Sequence, residues 1–312
     1  MNAFSFFLQD TVILALAPLA TGLVRFGKAR LQGRNGASPF LPYVRLATLL
    51  RKKMVIANTT SWVFHAAPFI VLATSVFTAF TLPLLSNTGV PMGLDNFIVF
   101  SAILALGSVF LIFGGLDAGT AFGGMGASRE MTLVSLIEPA MIMVFTAFAV
   151  VSGHSDIGGM LMVGGSALGL HPSLVLSLIA FILVALAENA RYPVDNPATH
   201  LELTMVHEAM ILEYSGSYLA ALEFASSLRL TVFAVLIANF AFPFPLLSSP
   251  ISLFSAFVTI VATLVKIAVT MLLLAFLESS IPKMRFYRMQ EYLSTAFFIA
   301  LAGLAFSFIT FS

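Results

Sequence analysis

Apolar residues run in long blocks along this chain, and short polar stretches separate them. A helix needs about 20 apolar residues to cross the hydrocarbon of a bilayer. Blocks at roughly 3–25, 64–85, 97–116, 131–152, 172–190, 226–245, 252–277 and 293–311 suit that length. The third, NFIVFSAILALGSVFLIFGGL, and the seventh, ISLFSAFVTIVATLVKIAVTMLLLAFL, are the clearest. Backbone groups in lipid must pair internally, which favours a helical bundle over an open sheet. The pattern predicts an all-α polytopic membrane protein with about eight transmembrane helices, folded as a single domain over 1–312.

Two polar stretches are more than connectors. Within the loop 26–63, LPYVRLATLLRKK has Leu46, Leu49 and Leu50 with Arg45 and the basic residues 51–53. It reads as a short interfacial helix lying apolar side down, or as a solvated helix covering the bundle. The second stretch, 188–225, is acidic. Pro193 and Pro197 break any continuation of the fifth block. Asn196 and Pro197 suit a helix cap and first turn, which predicts a loop helix from about Pro197 to Leu212, ended by Ser215-Gly216.

Composition supports the bilayer as solvent. Only 9% of the 312 residues are charged and 59% are hydrophobic, against roughly 25% charged in soluble domains. Net charge is +1 and no basic tail exists, so nucleic acid is not an expected partner. The absence of cysteine excludes disulfides and thiolate-held clusters within this chain, so no cofactor is expected in it. The N-terminal block lacks a basic n-region and reads as a retained first span.

The basic residues suggest an orientation. Arg25, Lys28, Arg30, Arg34, Arg45 and residues 51–53 flank or occupy the first loop. Arg129 is assigned to the third loop, Arg191 and Arg229 lie in or beside the fifth, and Lys283, Arg285 and Arg288 are in the seventh. Lys266, inside the seventh block, is the exception. The asymmetry puts odd-numbered loops in the cytoplasm and both termini outside.

An ionisable group inside a membrane costs roughly 2.5–3.5 kcal/mol on insertion scales, so each one is a functional candidate. Glu138 lies inside the fourth block, Glu188 ends the fifth, Glu223 opens the sixth, and Lys266 and Glu278 lie in the seventh. Pro139 frees a carbonyl beside Glu138, a break that admits water and suits proton relay. A buried pair that only orients helices is the plainer reading of Glu138 and Lys266. The acidic stretch adds Asp195, Glu202, Glu208 and Glu213, with Arg191, His200 and His207. Glu202 and Glu213, eleven residues apart, would share a helix face. The H-x6-H spacing matches no common metal motif, and HEAMI lacks the second histidine of HExxH, so both histidines read as cap or interface residues and no metal site is expected.

ENARYPVDNP, followed by E-L and then E-Y-S-G, resembles the signature of the complex I subunit 1 family. KARLQGRNGASPFLPYVRLATLL and KIAVTMLLLAFLESSIPKMRFYR resemble further family segments. GGLDAGTAFGGMGASREMTLVSLIEP resembles the hydrogenase branch, the membrane anchors of group 4 nickel–iron hydrogenases and formate hydrogenlyases, hydrogenase-4 component C among them. Departures also favour that branch. Ala198 and His200 stand where quinone-reducing members carry glutamates, Glu278 where complex I usually has arginine, and Asn35-Gly36-Ala37 where R-G-P is usual.

The resemblance implies a non-catalytic anchor and proton-coupling subunit of an oxidoreductase complex in a bacterial or archaeal inner membrane. Its partners would be iron–sulfur and large hydrogenase-like peripheral subunits, which would hold iron–sulfur clusters and a nickel–iron centre, with antiporter-like membrane subunits alongside. A relay would use Glu138, Glu188, Glu202, Glu213, Lys266 and Asp195, with Arg129, Arg191, Arg285, Arg288 and Arg34 as charge partners or docking residues. The alternatives are a complex I-like subunit binding quinone between the first helix and the interfacial helix, a stand-alone secondary transporter, and an anchor whose polar residues only pack.

Overall fold

The computed structural model describes residues 3–57, 59–83, 93–167, 171–195, 206–243, 253–281 and 286–311. Glu202, His200, Arg285, Lys283 and the proposed cap at Asn196 and Pro197 lie outside the described residues. The helices are α1 (Ala3–Leu31), α2 (Leu41–Arg51), α3 (Trp62–Phe80), α4 (Phe97–Asp117), α5 (Ala121–Ser152), α6 (Ile157–Ala167), α7 (Pro172–Glu188), α8 (His207–Ile211), α9 (Gly216–Ala241), α10 (Leu253–Ser280) and α11 (Phe286–Phe311). Seven of them are long and apolar enough to cross a membrane, and α7 is a shorter apolar helix. Each of the eight predicted spans therefore has its helix.

Local chemistry sets several boundaries. Ser61 caps α3 by accepting from the Val63 amide at 3.2 Å. Asp117, the last residue of α4, accepts from the Ser61 amide and hydroxyl, both at 2.7 Å, and so ties the start of α3 to the end of α4. Asn96 caps α4 and Thr120 caps α5. Gly153, at φ 70, ends α5 in the left-handed region.

Four boundaries differ from the sequence expectation, one of them α11, which starts at Phe286, well before the expected 293, and makes Arg288 helical. Helix α1 continues to Leu31, which takes Arg25, Lys28 and Arg30 into helix. Helix α5 starts at Ala121, ten residues early, so Arg129 is helical. Helix α9 starts at Gly216, ten residues early, so Arg229 lies buried well within it and not at its edge. In each case polar residues lower the local hydropathy, yet they are competent helix formers, so apolar length marks too short a helix. The acidic loop consequently closes at 215. Of the loop helix expected over Pro197–Leu212, the described residues show only the turn and a half of α8. Helix α6 was not expected. Its glycines blur the pattern, while Asp156 holds its start by accepting from the Gly159 amide at 2.6 Å.

Packing divides the bundle into two cores. The larger gathers Phe100, Phe145, Phe148, Phe181, Phe233 and Phe240 from α4, α5, α7 and α9. Phe148 and Phe240 lie 4.1 Å apart between ring centroids. The smaller joins α3, α4, α8 and α9 around Phe64 and Tyr214, whose rings stack at 4.0 Å. Helix α2 packs on α9 and α1. Its Leu49 is buried, while Phe40 before it and Leu41, Val44 and Leu50 within it are exposed, the outward apolar face an interfacial helix requires.

Candidate functional site

The site forms where α7 ends. Past Glu188 the chain turns sharply: the Arg191 amide reaches the Leu186 carbonyl at 2.8 Å and that of Val194 reaches Arg191 at 2.9 Å. Glu188 is left pointing at α9. Its Oε1 lies 3.3 Å from Nη1 of Arg229, with both side chains under a tenth exposed. The same guanidinium nitrogen meets Oγ of Ser108 on α4 at 3.4 Å. Gly107 makes room for it, because a Cβ there would lie 3.2 Å from Nη2 of Arg229 and 2.5 Å from Oγ1 of Thr74.

A cavity of about 20 Å³ adjoins the pair, lined by Glu188, Asn189, His207, Ser226 and Arg229 among others. That is room for about one water. Arg229 Nε and Asn189 Oδ1 are buried without protein partners, and both residues line the cavity, so a water has polar groups to satisfy there.

His207, Leu222 and Ser226 face this cavity and also a second one of about 520 Å³ between α1, α2, α8 and α9. The larger cavity is a charged vestibule. Arg25, Lys28, Arg34, Arg45 and Arg191 line it against Glu208, Glu223 and Glu278. Glu278 is fully enclosed and doubly paired, with Lys28 at 3.0 Å and Arg191 at 3.4 Å, which ties α10 to α1 and to the turn after α7. Arg45 and Glu223 join α2 to α9 as an ion pair. The Lys28 ammonium also sits 4.6 Å from the Tyr192 ring centre.

His207 separates the two cavities. Burial and the nearby Arg229 charge push its pKa down to about 4 against the opposing pull of Asp195, so it is neutral at pH 7. Asp195 is buried behind it and accepts from the His207 amide at 3.4 Å.

The other expected residues distribute unevenly. Arg34 reaches the vestibule. Arg191 pairs with Glu278, while Glu188 takes Arg229. Glu138 is half-buried on α5 and acts electrostatically on Glu188. Lys266 donates to Oδ1 of Asn239 at 3.1 Å, and Asn239 in turn donates to the Pro83 carbonyl at 3.2 Å. The bond of Lys266 is thus to a neutral amide and not to Glu138. Glu213 stands exposed past the end of α8, away from both cavities. Arg129 is half-buried and Arg288 exposed. Among the described residues no three His, Asp or Glu side chains converge as a metal site.

Sequence reasoning missed Glu130, which lies within electrostatic range of Glu188, Arg229 and Asp195. It also missed Asp10, a carboxyl buried in α1 whose Oδ1 lacks a partner. The signal for Glu130 was the G-A-S-R-E run itself. For Arg229 it was a lone arginine inside the sixth apolar block, the same kind of signal as Lys266 in the seventh.

An all-helical, multi-pass membrane protein with a buried Glu–Arg pair at the inner end of a charged vestibule is the class these features define. The chain belongs to the NADH dehydrogenase family, whose model matches residues 5–309. Hydrogenase-4 component C of Escherichia coli K12 is 30% identical over 239 residues, covering 76% of this chain and 74% of that protein. Formate hydrogenlyase subunit 4 of the same organism is 30% identical over 224 residues, 71% of this chain and 72% of that one. An NADH-quinone oxidoreductase subunit of Thermomicrobium roseum is 27% identical over 258 residues, with 75% of each chain covered. A chain of the membrane-bound sulfane sulfur reductase, an archaeal respiratory membrane complex, shares the fold with a TM-score of 0.81 at 18% identity, over 97% of this chain and 99% of that one. The expected membership, hydrogenase-branch relatives included, is borne out.

Proposed function

We propose that this chain is the membrane anchor and proton-coupling subunit of a multisubunit redox complex in a bacterial or archaeal cell membrane. The similarity to subunits of hydrogenase-4 and formate hydrogenlyase supports that setting. In this reading iron–sulfur and large hydrogenase-like subunits, carrying the iron–sulfur and nickel–iron centres, sit on the vestibule side, and antiporter-like subunits lie beside the bundle. The vestibule side is cytoplasmic and both termini are outside.

The observation that carries the reading is the buried Glu188–Arg229 pair beside a water-sized cavity that shares walls with the vestibule. Protons reach Glu188 by way of vestibule water, the Ser226–His207 wall and the enclosed water. Glu138 and Glu130, within electrostatic range of Glu188, are the next acceptors. Separating Arg229 from Glu188 would leave a buried carboxylate without its cation, and binding a proton then becomes the less costly state. A redox-linked shift at the docked face, transmitted through α8, would load and unload the site.

Glu188→Gln in the assembled complex, reconstituted in vesicles, tests this. Proton translocation should fall at least tenfold while electron turnover to an artificial acceptor persists. Undiminished translocation would remove Glu188 from the path. Glu138→Gln tests the next position in the same assay. The quinone-binding reading has one supporting observation, that the vestibule is walled by α1 and α2 where that reading requires a chamber. Reduction of a quinone analogue, blocked by an inhibitor that occupies the vestibule, would establish it.

A further inference from the structure

Among the described residues, the vestibule holds more positive charge than its carboxylates balance. Five cations face three carboxylates, leaving two positive charges in excess, and His207 is neutral. Glu278 is taken by Lys28 and Arg191, and Glu223 by Arg45. Arg25 and Arg34 have no carboxylate in ion-pair contact among the described residues, and Arg25 lies in the electrostatic range of Arg45 and Arg191 as well as of Glu223 and Glu208, the repulsion of the arginines being the larger influence. Gathering guanidinium groups around one open cavity raises their mutual repulsion, which an anion sharing the space relieves.

We infer that the vestibule binds the phosphate headgroup of an anionic membrane phospholipid, held by Arg25 and Arg34 with Arg45 at the rim. Guanidinium groups suit phosphate because their paired N–H donors match two of its oxygens. Helix α2 argues for a lipid over a free anion. Its inner side gives Pro42, Arg45 and Leu46 to the cavity wall, and its outer side exposes Leu41, Val44 and Leu50. A phosphodiester seated inside can therefore lay its acyl chains over an apolar surface outside. Basic pockets between membrane helices on the cytoplasmic side bind such headgroups, and each basic residue contributes about fivefold to the affinity. This site does not depend on the proton path, since the lipid occupies the outer, basic end and leaves the His207–Ser226 wall free.

The test is native mass spectrometry of the complex released from nanodiscs of phosphatidylglycerol or phosphatidylcholine. The unmodified protein should retain phosphatidylglycerol preferentially, at least about tenfold over phosphatidylcholine. Arg25→Gln should reduce that preference about fivefold. Arg34→Gln should do the same, and because Arg34 is exposed that variant folds irrespective of Arg25. Arg51→Gln, at the exposed end of α2, is the control and should leave the preference intact. No preference in the unmodified protein, or a preference that both variants keep, overturns the proposal. Displacement of the lipid by inorganic phosphate alone also overturns it, by showing that the site takes the free anion.

Discussion

The two halves of α9 do opposite work. From Gly216 to Arg229 the helix presents Glu223, Ser226 and Arg229 to cavities, and the charged groups Glu223 and Arg229 each have a partner on another helix. From Leu230 to Ala241 it presents Phe233 and Phe240 to Phe145, Phe148 and Phe181, and no charge appears until Lys266 meets Asn239. One half lines cavities with charged and polar side chains. The other is sealed by aromatic rings packed at 4.1–5.8 Å. On the proposed reading, a proton entering by the vestibule would meet this apolar half. Glu130 and Glu138 on α5 are electrostatic neighbours of Glu188.

The contrast can be broken most severely at its boundary. Arg229→Met strands Glu188 as a buried, unpaired carboxylate and should destabilise the protein by about 3–5 kcal/mol. The double variant with Glu188→Leu should recover much of that loss. Unfolding in detergent measures both, and a double variant no better than the single one would show that the pair is not a unit. In the sealed half, Phe240→Ala should cost about 3 kcal/mol and let protons leak through reconstituted vesicles. An intact barrier there would move the seal elsewhere.

Gly107→Val sharpens the boundary without altering a charge. Its side chain would enter space held by Thr74 and Arg229, costing about 1–3 kcal/mol. Coupling should weaken more than in a Gly124→Ala control, where a Cβ meets nothing within 4 Å.

The pH response separates the halves again. The folded pKa of His207, about 4, lies below the unfolded value of 6.5. Its contribution is complete above pH 6.5 and is lost as pH falls towards 4, because over that range the unfolded chain binds a proton that the folded one does not. Hydrogen exchange in α8 should quicken across this window while the Phe-rich half is unchanged, and His207→Gln should abolish the dependence. The smallest effect belongs to the rim. Arg45 is half exposed, so Arg45→Gln should change stability by no more than about 1 kcal/mol.

Much of this was legible in the sequence. Eight apolar blocks became eight helices, and the isolated carboxyl at the end of the fifth block, Glu188, lies at the centre of the candidate site. The loop carboxylates misled more. Glu213 was aligned with Glu202 on an assumed long helix, whereas α8 ends at Ile211 and Glu213 faces outward. The starts of α5 and α9 were set too late for the same reason, that hydropathy measures affinity for lipid and not the capacity to be helical. Glu130 thereby falls one residue outside the fourth block, although α5 contains it.

By itself, the sequence determined where the chain lies in a bilayer. Transfer of apolar length into hydrocarbon is a local property of each segment, additive over about 20 residues, and readable without neighbours. Only the tertiary structure decided which charges meet. Glu188 and Arg229 are 41 positions apart, and Arg191 and Glu278 are 87 apart. Their pairing follows from which helix faces the packed bundle brings together. A buried ion has no stable arrangement without its counterion, so the partner, the cavity between them and its water are properties of the assembled helices and of no single segment.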